Sequence, residues 1–225
     1  MPSRPQPSDD RRAKVFLVDD HAIVRQGLGE LINGQADLVV CGEADGPAQA
    51  MKAIGLAAPD VVVVDIMLNG GDGIELCRQV KDTWPKLPVL VLSMHEESLY
   101  AERALRAGAL GYVMKQAPQD TVMAAIRRVL SGDVYLSDAM SAKLLRTFNR
   151  STSDTSASPL ERLSDRELQI FQMIGQGRSV RDIADALFLS PKTVETHKEH
   201  IKQKLNLSSS NDLLRFAIEA RVTSR

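Results

Sequence analysis

The sequence VVVVD, at residues 61–65, places four consecutive valines directly before a carboxylate. Short runs of β-branched apolar residues are typical of strands that are buried on both faces of a parallel sheet. Four further segments share this pattern: KVFLV at 14–18, LVVC at 38–41, VLVL at 89–92 and GYVM at 111–114. The chain therefore has five predicted buried strands.

Helical patterns fill the intervals between and after these strands. Apolar residues recur at three- and four-residue spacing at 23–32, 47–56, 74–81, 98–107 and 119–130. Strands that alternate with helices favour a parallel sheet with helices on both faces. Residues 14–131 are thus predicted to form one α/β domain of five β-α units.

The rest of the chain has a different character. Residues 159–225 have no strand pattern, and four helices are predicted there, at 165–174, 180–187, 191–205 and 211–220. Ser164 has Glu167 three residues later, which is the form of a capping box, and Ser190-Pro191 is typical of a helix start. We therefore predict a second domain that is entirely helical.

Polar segments lie outside these two regions. The stretch NRSTSDTSASP, at 149–159, is rich in Ser and Thr and has no large apolar residue, so it is predicted to be a flexible linker. It belongs to a connecting helix or linker at 132–158. Residues 1–13 are predicted to be a disordered tail.

Composition argues against a wholly disordered, fibrous or membrane-spanning chain. The 225 residues are 44% apolar and 25% charged, which is typical of a globular protein. Because no apolar run approaches about 18 residues and no secretory signal is evident, we predict a cytoplasmic protein without a membrane partner. Residues 159–225 have 11 Lys and Arg against 9 Asp and Glu, a weak excess in the direction expected near DNA phosphates.

Polar residues follow four of the predicted strands. They are Asp19 and Asp20 after the first, Asp65 after the third, Ser93 after the fourth and Lys115 after the fifth. The carboxyl ends of parallel strands meet at one edge, where ligands bind. Carboxylates that converge there repel each other unless a cation such as Mg²⁺, which prefers oxygen ligands, is bound. A lysine and a hydroxyl beside them suit a phosphoryl group, and an Asp can form an aspartyl phosphate.

With this constellation, residues 14–131 resemble a two-component receiver domain, and residues 159–225 resemble a LuxR-type helix-turn-helix domain. Together they are similar to response regulators of the NarL/FixJ group. The resemblance implies a flavodoxin-like (βα)5 receiver and a four-helix DNA-binding domain. It also implies a sensor histidine kinase as partner, double-stranded DNA as ligand and a homodimer on DNA.

The resemblance also implies roles for individual residues. Asp65 would accept the phosphoryl group. Mg²⁺ would be held by the carboxylates of Asp20 and Asp65, by Asp19 through water and by the backbone carbonyl of Met67. Lys115 would hold the phosphoryl group, and Ser93 and Tyr112 would form a switch pair, although Tyr112 could instead be a core aromatic residue. The chain departs from the family at Asn69, where proline is common.

The segment 179–205 reads as helix, short turn and helix, and its second helix suits the major groove. At about 100° per residue, one inward stripe consists of Val194, His197, Ile201 and Leu205, and His197 is predicted to be a packed, hydrogen-bonded core residue. The opposite face, predicted to read bases, consists of Lys192, Thr196, Glu199 and Gln203. Eight residues are candidate DNA contacts: Lys192, Thr193, Glu195, Thr196, Lys198, Glu199, Lys202 and Gln203. The lysines beside the stripe are expected to contact phosphates, which position a protein without specifying sequence.

Three hypotheses for function remain. The leading one is a transcription regulator whose DNA binding is controlled by phosphorylation of Asp65. The alternative is a DNA-binding regulator controlled by protein partners, independently of phosphorylation. A phosphohydrolase that uses an aspartyl phosphate is disfavoured, because such enzymes commonly need a second Asp two residues after the nucleophile and this chain has Met67 there.

Overall fold

The computed structural model describes residues 12–68, 70–149 and 159–223, except for the side chains of 147–149 and 221–223. The predicted tail and linker lie almost wholly outside the described residues, as does Asn69. Ala13, assigned to the tail from sequence, is the first residue of a strand. Within the described residues, no helix has the length and apolar character needed to cross a membrane.

A five-stranded parallel sheet forms the centre of the first half of the chain. Its strands are β1 (Ala13–Val18), β2 (Leu38–Ala44), β3 (Val61–Val64), β6 (Val89–Ser93) and β7 (Gly111–Met114). The order β2-β1-β3-β6-β7 confirms the predicted flavodoxin-like fold. All four residues of β3 are buried, as the valine run predicts.

Five helices cover the two faces of this sheet. They are α1 (Ala22–Asn33), α2 (Pro47–Ala57), α3 (Gly73–Thr83), α4 (Glu97–Arg106) and α5 (Gln119–Leu130). Ile32 of α1 and Ile126 of α5 belong to one buried cluster. Ile54 of α2, Ile74 of α3 and Tyr100 of α4 belong to the other. The sheet is therefore covered on both faces, in agreement with the sequence prediction.

Three further elements complete the described chain before α7: the second, a helix, lies within the connecting helix or linker predicted at 132–158, and the other two were not predicted. A small antiparallel pair, β4 (Met67–Leu68) and β5 (Gly71–Asp72), follows Asp65. A helix, α6 (Asp138–Asn149), packs on α4, with Met140 buried and Lys143 Nζ donating to the carbonyl of Ser98 at 2.8 Å. A 3-10 turn at Pro159–Arg162 leads into the helical part.

The helical part consists of α7 (Asp165–Gly175), α8 (Val180–Leu187), α9 (Pro191–Leu205) and α10 (Ser210–Thr223). The capping box of Ser164 with Glu167 is present, and Ser190 caps α9. Ile183, Val194 and Leu213 are buried in the core between these helices. The prediction of an all-helical C-terminal domain is confirmed.

Helix α7 also contacts the sheet-containing part of the protein. Asp165 pairs with Arg103 of α4 at 2.9 Å and with Arg78 of α3 at 2.8 Å. The Tyr100 hydroxyl of α4 donates to Gln172 Oε1 at 2.9 Å. These polar contacts hold α7 against α3 and α4.

Candidate functional site

The carboxyl ends of β1 and β3 bring three aspartates together. Asp19 and Asp20 follow β1, and Asp65 follows β3, which is hydrogen-bonded to β1. Asp19 and Asp65 are buried, at 5% and 4% exposure. Ligand atoms of these three residues and of His21 all lie within 4.8 Å of one another. The structure thus forms the carboxylate cluster that the strand ends predict.

Lys115 enters this cluster from the end of β7. Its Nζ lies 2.6 Å from Asp65 Oδ2 and also pairs with Asp19 Oδ2. Burial raises the pKa of Asp65, and Lys115 partly offsets the increase. Burial lowers the pKa of Lys115, but the two carboxylates outweigh that effect, so its pKa is raised. Lys115 therefore neutralises part of the buried negative charge.

Two carboxylate oxygens of the cluster have no hydrogen-bond partner. They are Asp20 Oδ1 and Asp65 Oδ1, and both are buried. His21 Nδ1 lies 2.6 Å from Asp20 Oδ1, but the contact is not in hydrogen-bond geometry. Unpaired buried carboxylate oxygens are costly unless they coordinate a cation. The three aspartates offer only oxygen donors, which suit a Mg²⁺ ion, and the imidazole of His21 is the one nitrogen donor among the four clustered side chains.

His21 lies between the aspartate cluster and the start of α1. A histidine after an acidic pair is expected to cap the following helix, and His21 does occupy the N-cap position of α1. Its side chain makes no capping hydrogen bond, however, and instead faces Asp20.

The backbone around Asp65 is tightly packed. A Cβ atom at Gly73 would lie 1.9 Å from the carbonyl oxygen of Asp65, so only glycine fits there. The Gly73 amide donates to the carbonyl of Ile66 at 2.8 Å. The side chain of Asp72 caps α3 by accepting from the amide of Ile74 at 2.7 Å. Sequence reasoning missed Gly73 and Asp72, although an Asp-Gly pair before a helix is a recognisable start signal.

Ser93 and Tyr112 lie next to each other in the core. Ser93 is fully buried, and its Oγ accepts from the amide of His95 at 3.3 Å. The Tyr112 hydroxyl donates to the carbonyl of His95 at 2.7 Å, with its side chain 1% exposed. Burial raises the pKa of Tyr112. Both predicted switch residues therefore contact the same turn, at His95.

The exposed face of α9 matches the predicted reading face. Lys192, Thr196, Glu199 and Gln203 are all exposed. Val194 and Ile201 are fully buried, and His197 and Leu205 are half-buried, so the predicted inward stripe is correct. Thr193 lies near the capping residue of α9, with its hydroxyl 2.7 Å from that of Ser190.

Comparisons with known proteins identify both parts of the chain. A family model described as the response regulator receiver domain matches residues 15–127. A second, described as bacterial regulatory proteins of the luxR family, matches residues 161–217. The chain belongs to the NarL/FixJ group of two-component response regulators. This response regulator is a DNA-binding transcription regulator.

Relatives match the response regulator over nearly its whole length. The oxygen regulatory protein NreC of Staphylococcus carnosus (strain TM300) is 35% identical over 213 residues, which cover 93% of this chain and 98% of the relative. The crystal structure of the response regulator ChrA, from a heme-sensing two-component system, is 32% identical over 93% of this chain and 98% of that one, with a TM-score of 0.51. RcsB of Salmonella typhimurium, at 24% identity, shares the fold with a TM-score of 0.67 over 92% of this chain and 98% of that one.

One prediction for the regulator's recognition helix is wrong in part. His197 lies on the inward stripe as expected, but its Nδ1 is buried without a hydrogen-bond partner. Burial also lowers its pKa. Charged groups of α7, Glu167 and Arg166, lie near this imidazole together with His200 and Lys204 of α9, and the periodicity of α9 alone does not reveal the two from α7.

The regulator's two domains share a cavity that sequence reasoning did not predict. It measures about 420 Å³ and is lined by Asp65, Met67 and Ser93 of the receiver. Met173, Arg178 and Phe188 of the helical domain line its other side. Because these residues are more than 100 positions from Asp65, only the folded chain brings them together.

Proposed function

We propose that phosphorylation of Asp65 by a sensor histidine kinase controls DNA binding through α9. The observation that carries the proposal is the buried, unpaired Asp65 Oδ1 beside Lys115 and two further aspartates. A carboxylate oxygen without a hydrogen bond keeps its lone pairs available to attack phosphorus.

In the proposed transfer, Asp65 Oδ1 forms a bond to the phosphorus of the kinase's phosphohistidine. The phosphorus–nitrogen bond breaks, and the imidazole of the kinase keeps the electron pair. The carboxylates of Asp20 and Asp65, Asp19 through water and the Met67 backbone carbonyl would hold Mg²⁺. When bound, Mg²⁺ neutralises charge on the phosphoryl oxygens. Lys115, now paired with Asp65 Oδ2, moves to a phosphoryl oxygen, and the hydroxyl of Ser93 donates to another.

The signal then passes through the turn at His95. Ser93 and Tyr112 both hydrogen-bond to the backbone of His95. The pKa of His95 is lowered by burial and raised in part by a hydrogen bond with Gln172 of α7. If Ser93 turns to the phosphoryl group, its hydrogen bond with the amide of His95 is lost. The position of His95, which Gln172 contacts, then changes. Phosphorylation thereby weakens the contact of α7 with the receiver.

DNA recognition is assigned to α9. Lys192, Thr196, Glu199 and Gln203 read bases, with Thr193 and Glu195 at the side of that face. Lys198 and Lys202 contact phosphates, where they position the helix without specifying sequence. Glu195 and Glu199 pair with these lysines in the free protein, at 3.0 and 2.8 Å.

Dimer formation on DNA is assigned to α10. Leu213 and Ala217 are buried in the domain core, whereas Leu214 and Ile218 are 39% and 46% exposed on the outer side of the same helix. Two apolar residues four positions apart form one stripe that a second copy can cover. A homodimer places two recognition helices on an inverted repeat.

The proposed domain limits are 14–131 for the receiver, 132–158 for the connecting segment and 159–225 for the DNA-binding domain. The regulator acts in the cytoplasm, where a bacterial chromosome lies.

The test is DNA binding at fixed salt, with and without prior treatment with acetyl phosphate and Mg²⁺. We expect treatment to tighten binding to specific fragments, with a two-to-one protein-to-site ratio. Asp65→Asn should abolish the gain. Asp45→Asn, the same change at an exposed residue, should retain it. Specific binding that is indifferent to treatment and to Asp65→Asn would instead favour control by protein partners.

A further inference from the structure

A second cluster of potential metal ligands lies in the DNA-binding domain, away from the receiver. It consists of Glu167 on α7 and His197 and His200 on α9. Ligand atoms of the three side chains all lie within 4.8 Å of one another, and His200 Nδ1 is 4.0 Å from Glu167 Oε1. The cluster therefore joins the recognition helix to the helix behind it.

Two features of the cluster point to a missing ligand. His197 Nδ1 is buried without a hydrogen-bond partner, and a buried, unpaired nitrogen costs free energy. Glu167 is 3% exposed, and its Oε2 already receives the amide of Ser164 and the Lys204 ammonium. Both of those donors are on Oε2, whereas Oε1 lies 4.0 Å from His200 Nδ1.

We propose that Glu167, His197 and His200 form a binding site for Zn²⁺ or a similar borderline divalent cation. Two imidazoles and one carboxylate are a common three-ligand set for zinc, with water as the fourth ligand. Ligand atoms around tetrahedral zinc lie about 3.3 Å apart, given metal–ligand distances of about 2.0–2.1 Å. The 4.0 Å spacing of His200 and Glu167 needs only a small closure.

The surroundings permit that closure. The side chain of His200 is 53% exposed, so it can rotate toward Glu167 and also leaves an entry path for the ion. Lys204, 40% exposed, can withdraw into solvent as the ion approaches. The bound cation would attach α9 to α7 directly and fix the recognition helix in its present orientation.

Full-length protein is titrated with Co²⁺ and Zn²⁺ in excess Mg²⁺, which competes for the oxygen ligands of the receiver. We expect the visible absorption of tetrahedral Co²⁺, displaced by one equivalent of Zn²⁺. His200→Asn should remove this absorption and weaken zinc binding at least tenfold. His21→Asn, the same change at the histidine of the receiver cluster, should leave both unchanged.

Unchanged Co²⁺ absorption and zinc affinity in His200→Asn would overturn the proposal, as would loss of both in His21→Asn. Because His200 is exposed, His200→Asn should melt at the wild-type temperature without metal. Zinc should raise the melting temperature of the wild type but not that of the variant. His197→Asn provides a second ligand variant, and retention of the tetrahedral spectrum by it would likewise count against the site.

Discussion

At the scale of single residues, Gly73 determines how the loop after Asp65 packs. A side chain there would meet backbone atoms of Asp65 and Ile66, which cannot move aside as a flexible side chain can. The hydrogen bond from the Gly73 amide to Ile66 closes the same loop at 2.8 Å. The position of the proposed phosphoacceptor therefore depends on a residue that performs no chemistry.

We expect Gly73→Ala to lower the free energy of unfolding by about 1–3 kcal/mol, as overpacking does. The added methyl group must displace the backbone of Asp65, so phosphorylation by acetyl phosphate should also slow. Denaturant unfolding and the rate of phosphoprotein formation measure the two effects. Gly27→Ala is the control, because a Cβ atom there has no neighbour within 4 Å. Wild-type stability in Gly73→Ala would show that the loop relaxes freely.

The residues of the receiver cluster could be predicted because each follows a strand. Asp19, Asp65 and Lys115 are placed by the sheet itself, and the apolar runs of the sequence reveal the sheet. Gln172 and Arg178 could not be predicted in the same way. Their positions beside the receiver depend on how the second domain packs on the first, and no local pattern encodes that packing.

At the scale of elements, α9 forms two ion pairs between its own side chains. Glu195 and Lys198 lie 3.0 Å apart, and Glu199 and Lys202 lie 2.8 Å apart, each three positions apart along the helix. Such surface pairs contribute little stability, about 0–1 kcal/mol. They do hold the lysine side chains, which are only 16% exposed, along the helix rather than extended toward a ligand.

Lys202→Ala should weaken binding to specific and nonspecific DNA by similar factors. A phosphate contact releases about one counterion, so the slope of log K against log salt should decrease by about 1. Fluorescence anisotropy across a salt series measures both. Lys52→Ala, an exposed lysine on α2, should change neither value. A change in sequence preference without a change in slope would place Lys202 among the base-reading residues instead.

Elements whose apolar pattern runs through their whole length could be predicted from sequence. Elements whose limits depend on contacts with neighbouring elements could not. The limits of β3, α8 and α9 agree with the predicted ones. β2 extends three residues further, to Ala44, because it pairs with β1 through a bulge near Phe16 beyond its apolar run. The β4–β5 pair is two residues on each side, too short to leave a periodic signal.

At the scale of the whole molecule, the two domains are in contact while the reading face of α9 is exposed. The receiver contacts α7 and the 3-10 turn before it, and residues of both domains line the cavity beside Asp65. Lys192, Thr196 and Gln203 on α9 remain open to solvent. Domain contact therefore restrains the orientation of the recognition helix without covering it. In the proposed mechanism, release of this contact would free α9 to align with that of a second copy on DNA.

Arg103 of α4 is the main polar link in that contact. Its guanidinium donates to the carbonyl of Leu163 at 2.8 Å, to Asp165 at 2.9 Å and to the carbonyl of Leu160 at 2.9 Å. Hydrogen bonds of a charged group contribute about 1.5–3 kcal/mol each. Arg103→Ala should therefore shift the population toward separated domains by at least about tenfold. Small-angle X-ray scattering should show a larger radius of gyration.

The same variant should bind specific DNA several-fold more tightly without a phosphoryl donor, because separated domains no longer restrain α9. Arg106→Ala is the matched control: it lies on the same helix, is 78% exposed and pairs with Glu102 within α4. It should leave scattering and affinity at wild-type values. If Arg103→Ala separates the domains but DNA affinity stays constant, contact between the domains does not restrain DNA binding. Phosphorylation would then have to act through dimer formation alone.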